Sequence, residues 1–282
     1  MGMKNKKRIG TIVFHVLCLL FAVTALYPIL WLLASSLKES SKVFVDAASL
    51  IPESFHFENY SNGWSGFGGV TFTTFFINTI IVVVLSVIGV AISCPLIAYG
   101  FARLKFKFQN FWFITVMFSM MLPAQIVMVP QYVMFNKLGW IDTYIPLILP
   151  MWLGQAFFIF QHMQFIRSIP YELDEAALLD GCGKFKTYTH VILPLVVPSV
   201  VTSVIFQFYW AWDNFFGSLI YLTTPKKYVL SIALRLFSDP SSNTDWGAMF
   251  AMGSASLIPP ILLFFICQRY IVEGISTSGL KG

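Results

Sequence analysis

Six long stretches of this chain carry no Asp, Glu, Lys or Arg, and they constrain the fold more than any other feature. They cover residues 9–37, 59–102, 108–136, 143–166, 187–212 and 246–268. A helix needs about 20 apolar residues to cross roughly 30 Å of hydrocarbon. Every stretch is long enough, and none alternates with the period of two that a barrel strand shows. Spanning helices are therefore expected at about 10–36, 73–101, 111–135, 145–166, 195–221 and 248–270. Composition agrees: the 282 residues are 57% hydrophobic and only 11% charged, against about 25% charged in a soluble domain. The expected fold class is an all-α integral membrane protein, with residues 1–282 forming one six-helix transmembrane domain.

Orientation follows from the cations, which stay preferentially on the cytoplasmic side. With the N-terminus inside, the inner segments hold the 4–8 cluster, Arg103, Lys105, Lys107, Arg167, Lys184, Lys186, Arg269 and Lys281. The outer loops hold Lys38, Lys42, Lys137, Lys226, Lys227 and Arg235. An even number of spans then also puts the C-terminus inside. The net charge of +5 is thus explained by topology, and no basic, aromatic-studded surface suggests nucleic acid. The first apolar run follows a basic cluster as a signal peptide would, but it is too long for one and is expected to stay as the first span. Cys18, Cys94, Cys182 and Cys267 form no CxxC pair, so neither a disulfide nor zinc is expected.

One polar island, residues 167–193, interrupts this pattern on the inner side. Ser168-Ile-Pro170 opens it, and proline is tolerated at a helix start. Glu172, Asp174 and Glu175 fall in the first turns, where the helix dipole favours negative charge. Ala176, Ala177, Leu178 and Leu179 propagate helix, and Gly181 ends it as a left-handed C′ residue would. A second short helix is expected over 184–192, with Pro194 starting the fifth span. Ala176, Leu179 and the backbone near Gly183 would present a small apolar face, and Glu175 and Asp180 the opposite one. Such an element suits docking into a groove of a soluble partner, although a merely solvated loop helix would look the same.

The spacing within the island resembles the EAA signature of ABC-importer permeases: E-A-A, three residues, G, nine residues, I, one residue, L-P. Here Glu175-Ala176-Ala177, Gly181 and Leu193-Pro194 match, and Val191 stands at the isoleucine position. The sequence 98–103, Leu122-Pro123-x-Gln125, Trp212-Asp213-Asn214-Phe215, Asp245-Trp-Gly247 and the 268–282 tail resemble the carbohydrate-type permeases, the maltose-type second permease among them. The resemblance implies that residues 167–193 hold a coupling helix seated in a cytoplasmic ATPase. Glu175, Ala176, Ala177, Asp180, Gly181, Leu193 and Pro194 would then serve that coupling, and the tail residues Gly279, Lys281 and Gly282 would touch the ATPase. It implies a second permease subunit, two ATPase subunits binding ATP and Mg, an extracytoplasmic solute-binding protein, and a saccharide moved across a bacterial cytoplasmic membrane.

Candidates for the solute path are fewer. Asp213 lies about 28 Å beyond Pro194 at 1.5 Å per residue, toward the outer end of the fifth span, where an ionisable group is a functional candidate. Trp210 and Trp212 suit stacking on sugar rings and Asn214 suits hydroxyls, although an interfacial aromatic belt has the same composition. Gln125 and Asn78 lie within spans, where interhelical hydrogen bonding explains them equally. Pro123, Pro130, Pro259 and Pro260 are expected to kink helices. No phosphate-cradling G-x-x-x-x-G-K-[ST] loop and no nucleophile–base pair occurs, so no catalysis and no resident cofactor or metal are expected. Two other readings fit less well: an importer permease for a polyamine or phosphate, and a secondary transporter, which would want charges near the midplane.

Overall fold

In the computed structural model, the backbone is described for residues 3–237 and 245–279, and side chains for 10–237 and 245–270. Lys281 and Gly282, two of the predicted ATPase contacts, lie outside the described residues. Among those described, all regular structure is helical, with one isolated bridge between Phe67 and Val70. Among the described residues, five helical stretches are long and apolar enough to cross a membrane, or six if one bent pair is counted as a span.

The chain forms two compact units. The first comprises residues 1–72 and 234–258. It contains α1 (Met3–Ser35), α2 (Glu58–Trp64) and α13 (Trp246–Ser256). The α2 residue Asn59 is buried and donates to the carbonyls of Ser36 and Lys38. Lys38 is buried too, and its ammonium is satisfied by the carbonyls of Asp46 and Ser49 at 2.6 and 2.7 Å. Asp245 caps α13 by accepting from the Ala248 amide. Gly247 lets α2 approach, since a Cβ there would lie 2.5 Å from the Asn59 amide nitrogen.

The second unit comprises residues 73–233 and 259–282. It is built on α3 (Phe72–Arg103), α4 (Gln109–Met121), α5 (Ala124–Lys137), α6 (Ile145–Trp152), α7 (Ala156–Arg167), α8 (Glu172–Leu179), α9 (Lys184–Thr187), α10 (Leu193–Trp212), α11 (Phe215–Tyr221), the first half of α12 (Leu230–Phe237) and most of α14 (Ile258–Gly279). Its core joins α3, α7 and α10 through Val90, Cys94, Phe158, Met163, Ile166 and Val196, each at most 1% exposed. His162 of α7 is buried and its Nδ1 lies 2.8 Å from the Ser199 hydroxyl of α10, a structural tie between spans.

Four of the predicted spans are not continuous helices. The third, expected over 111–135, breaks into α4 and α5 with a bend of 107°. Leu122 is extended (ψ 124°) and so is Pro123 (ψ 132°), because a residue before proline is pushed out of the helical region. Pro123 therefore does more than kink the span. The fourth breaks at Leu153-Gly154, where Gly154 takes φ +100°. The fifth ends at Trp212, and α11 starts anew at Phe215. The sixth, expected over 248–270, divides at Leu257 into α13 and α14, just ahead of Pro259 and Pro260. The short helix expected over 184–192 is likewise not separate. α9 passes through one π turn, Tyr188–Ile192, straight into α10. Pro194 has no N–H for the preceding turn, and a widened turn absorbs that defect. The chain beyond Tyr270 continues α14 as helix to Gly279.

Candidate functional site

The loop helix α8 begins one residue after Tyr171, so Pro170 stands just ahead of the cap rather than in the first turn. Glu172, Asp174 and Glu175 occupy that turn as expected, beside the partial positive charge of the exposed amides. The other end is a Schellman cap. Gly181 takes φ +77°, its amide donates to the Leu178 carbonyl at 3.0 Å, and the Cys182 amide donates to the Ala177 carbonyl at 2.9 Å.

The surface of α8 is apolar and open on one side. Leu179 is 89% exposed and Leu178 59%, and Ala176 and Gly183 are exposed beside them, whereas Ala177 is buried against the body. Glu175 and Asp180 are also exposed. Phe185 of α9, 70% exposed, extends the same loop's apolar surface. Its role was not evident from sequence, because Lys184 and Lys186 on either side mark it as part of a basic segment. Leu193 and Pro194 sit at the foot of α10, where the loop returns to the span.

Beneath α8 lies a pair that spacing gave no hint of. Arg103, the last residue of α3, meets Asp174 with Nε 3.1 Å from Oδ2, and the two side chains are 6% and 10% exposed. The Arg103 guanidinium also donates to the Ile169 carbonyl at 2.6 Å and lies 5.3 Å from the Tyr171 ring centroid. Removing one member of such a pair leaves an uncompensated buried charge and costs about 3–5 kcal/mol. One turn earlier on α3, the Tyr99 hydroxyl donates to the Lys184 carbonyl at 3.2 Å. Seventy-one residues separate Arg103 from Asp174, so only the packing of α3 against the loop brings them together.

The predicted solute-path residues do not converge. Trp210 packs on Phe158, with ring centroids 5.1 Å apart and 29° between planes. Trp212 stacks on Phe208 at 5.5 Å and 15°, and lies near Phe76 of α3. The two tryptophans thus form no common platform, because residues two apart on a helix point roughly 200° apart. Asp213 is exposed and ends α10; among the described residues no cation pairs with it. Asn214 caps α11 through its side-chain oxygen, which accepts from the Gly217 amide at 3.1 Å. Gln125 is exposed in the first turn of α5, beside the Leu122–Pro123 break.

Asn78 has a different occupation. It is buried, and its amide nitrogen donates to the carbonyls of Lys226 and Tyr228 at 3.0 and 2.9 Å. Its neighbour Thr79 accepts from the Leu230 amide at 2.8 Å. The same 222–230 segment is gripped a second time by Asp142, whose carboxylate accepts from the Thr223 and Thr224 amides, the Thr224 hydroxyl and the Lys227 ammonium at 2.7–3.0 Å. Burial pushes the Asp142 carboxyl up, but those donors, Lys227 first, outweigh it and hold the group well below the usual carboxylate range. The hydrogen-bonding reading of Asn78 fits this grip, with a loop segment as its partner; the Asp142 grip was not foreseen, since a loop aspartate gives no sequence signal of its partners. A mainly apolar groove of about 340 Å³ is lined by Ile97, Phe101, Trp112, Val116 and Leu153 together with Thr115 and Ser119, whose hydroxyls donate to the α4 carbonyls of Phe111 and Val116; it offers little to hold a hydrophilic solute.

Fold and geometry define a polytopic helical membrane protein that holds a short, capped, apolar-faced helix between two of its spans. Residues 91–277 match the family model of the binding-protein-dependent transport system inner membrane component. The chain is 34% identical over 280 residues to a probable ABC transporter permease protein of Bacillus subtilis (strain 168), covering 99% of this chain and 91% of that one. It is 30% identical over 269 residues to the diacetylchitobiose uptake system permease protein of Streptomyces coelicolor, covering 95% and 88%. A chain of a bacterial ABC transporter involved in the import of the acidic polysaccharide alginate has the same fold, with a TM-score of 0.82 over 94% of this chain and 97% of that one at 24% identity. The chain belongs to the family of binding-protein-dependent transport system inner membrane components.

Proposed function

We propose that this chain is a permease subunit of an ABC importer for a saccharide, an oligosaccharide by preference, and that α8 is the helix through which ATPase subunits drive it. The observation that carries the reading is α8 itself. A capped helix that keeps leucines 59% and 89% exposed, anchored at its base by an ion pair, offers the kind of apolar face that docks in a partner's groove. The EAA spacing around it and the sugar-uptake relative support the same assignment. In this reading Glu175, Ala176, Ala177, Asp180 and Gly181 form the knob, Leu193 and Pro194 carry its motion into α10, and the Gly279–Gly282 tail adds a second ATPase contact.

The subunit works in a bacterial cytoplasmic membrane with both termini inside, beside a second permease. Two ATPases bind ATP and Mg, and a solute-binding protein delivers the sugar from outside. Closure of the ATPases pushes on α8 and alternates access to the path. The 107° elbow between α4 and α5 supports a path near Gln125. The 13 residues of α4 span about 20 Å, so the elbow falls inside the hydrocarbon layer, where non-helical backbone persists only against protein or water. Asp213 and Asn214, at another helix break, are the next candidates.

The test is reconstitution of the whole complex in proteoliposomes with its binding protein. Glu175→Ala should lower both solute uptake and binding-protein-stimulated ATP hydrolysis while the complex still assembles. Uptake and stimulation at wild-type levels would sink the coupling role of α8.

A further inference from the structure

The coupling loop is tied by sequence to α7 and α10, but its side-chain anchors lie on a third span. Arg103 holds both the start of the loop, through the Ile169 carbonyl, and the first turn of α8, through Asp174. Tyr99 holds the loop's return through the Lys184 carbonyl, and its ring lies 5.2 Å from that of Tyr188. All these contacts converge on the last two turns of α3. At the other end of the same helix, Asn78 and Thr79 hold the 222–230 segment by three hydrogen bonds. The helix between is continuous over Phe72–Arg103, with Pro95 inside it, so Asn78 and Arg103 stand about 38 Å apart along its axis at 1.5 Å per residue. Where such a helix is close-packed against its neighbours, strain applied at one end is transmitted along it.

We infer that Arg103 is a positioning residue that seats the coupling helix on α3, and that α3 carries the displacement of α8 to the outer 222–230 segment through Asn78. This rests on the coupling role proposed for α8. A guanidinium suits the task, since its planar fork serves the Asp174 carboxylate and the Ile169 carbonyl at once. A lysine gathers its donors on one nitrogen and lacks the fork that spans the two acceptors. Asp174 lies outside the E-A-A triplet, so the seat is separate from the surface offered to the ATPase. The loop's displacement then has a route into the outer half of the protein that does not pass along α7 or α10.

The experiment measures solute imported per ATP hydrolysed in the reconstituted whole complex. Four variants are compared with wild type: Arg103→Lys, the paired Arg103→Met/Asp174→Leu, Asn78→Ala, and Asn78→Ala combined with the pair. The pair removes both charges together, so no unpaired ion is left in the core and the complex assembles. The expected result is a fall of about fivefold or more in solute per ATP for the pair, the scale of an ordinary coupling free energy. Arg103→Lys keeps part of the ratio. The combined variant is no worse than the worse of its two components, because both act on one helix. A wild-type ratio in the pair overturns the inference, as do losses that multiply in the combined variant. Glu175→Ala is the control. If it uncouples while the Arg103 variants do not, only this inference fails; if it too transports normally, the coupling reading beneath it fails.

Discussion

Gly181→Ala isolates the cap of α8 from everything around it. Gly181 takes φ +77°, and a Cβ built there meets nothing within 4 Å. No neighbour has to move, so the whole cost is intrinsic to the left-handed backbone. That cost is roughly 1–2 kcal/mol for a residue with a Cβ, and the stiffer unfolded chain returns about 0.4–1 kcal/mol of it. The net loss, about 1 kcal/mol, corresponds to roughly a fivefold rise in opening of the cap. Two amides report it directly, those of residue 181 and Cys182, which donate to the Leu178 and Ala177 carbonyls. Their hydrogen exchange, followed in the intact complex, should accelerate about fivefold in Gly181→Ala. Gly181→Asn should change it less than about twofold, since asparagine tolerates the left-handed region. Solute imported per ATP should follow the same order, glycine above asparagine above alanine. Equal exchange in the alanine and asparagine variants would refute the reasoning, because backbone conformation would then not be what the position requires.

Three further outcomes follow from the geometry. Asp142→Asn keeps the shape of the 222–230 grip but loses the charge facing Lys227, and should lower the thermal midpoint of the purified complex by weakening charge-assisted bonds worth about 1.5–3 kcal/mol each. The pH sign is fixed by the same group: its folded value is depressed, so its contribution is whole above the unfolded value near 4 and is lost as pH falls through the lower folded value. A wild-type acid limb in Asp142→Asn melting curves would contradict this. Asn78→Asp should destabilise the complex more than Asn78→Ala, because a carboxylate would face the Lys226 and Tyr228 carbonyls that now accept from the amide; the reverse order in melting curves would show that these bonds do not matter. Asp213→Asn should leave stability within about 0.5 kcal/mol, as for an exposed side chain that has no partner among the described residues, while uptake falls; unchanged uptake affinity and rate would return Asp213 to the membrane interface.

What was legible in the sequence is what depends on chain-local physics. Charge-free length determined that the chain is a multi-span helical membrane protein, because unpaired charge is excluded from hydrocarbon whatever the tertiary arrangement. The acids of 172–175, the alanines and Gly181 determined a helix and its end, and the Schellman cap at Gly181 is their local consequence. The breaks were less visible. Pro123 signals a bend, but the turn of 107° depends on where α4 and α5 find packing. Trp210 and Trp212 are two residues apart in sequence and diverge in space, since the helical period and not the motif sets their directions. Tertiary structure alone decided the pairings across long separations: Arg103 with Asp174, Asn78 with the 226–228 carbonyls, Asp142 with Thr223, Thr224 and Lys227. Each joins a polar group to a partner contributed by another element, and hydrophobic periodicity carries no information about which polar groups will meet. The sequence therefore settled that a helix hangs between two spans, while the packing of α3 beneath it decided what that helix is fastened to.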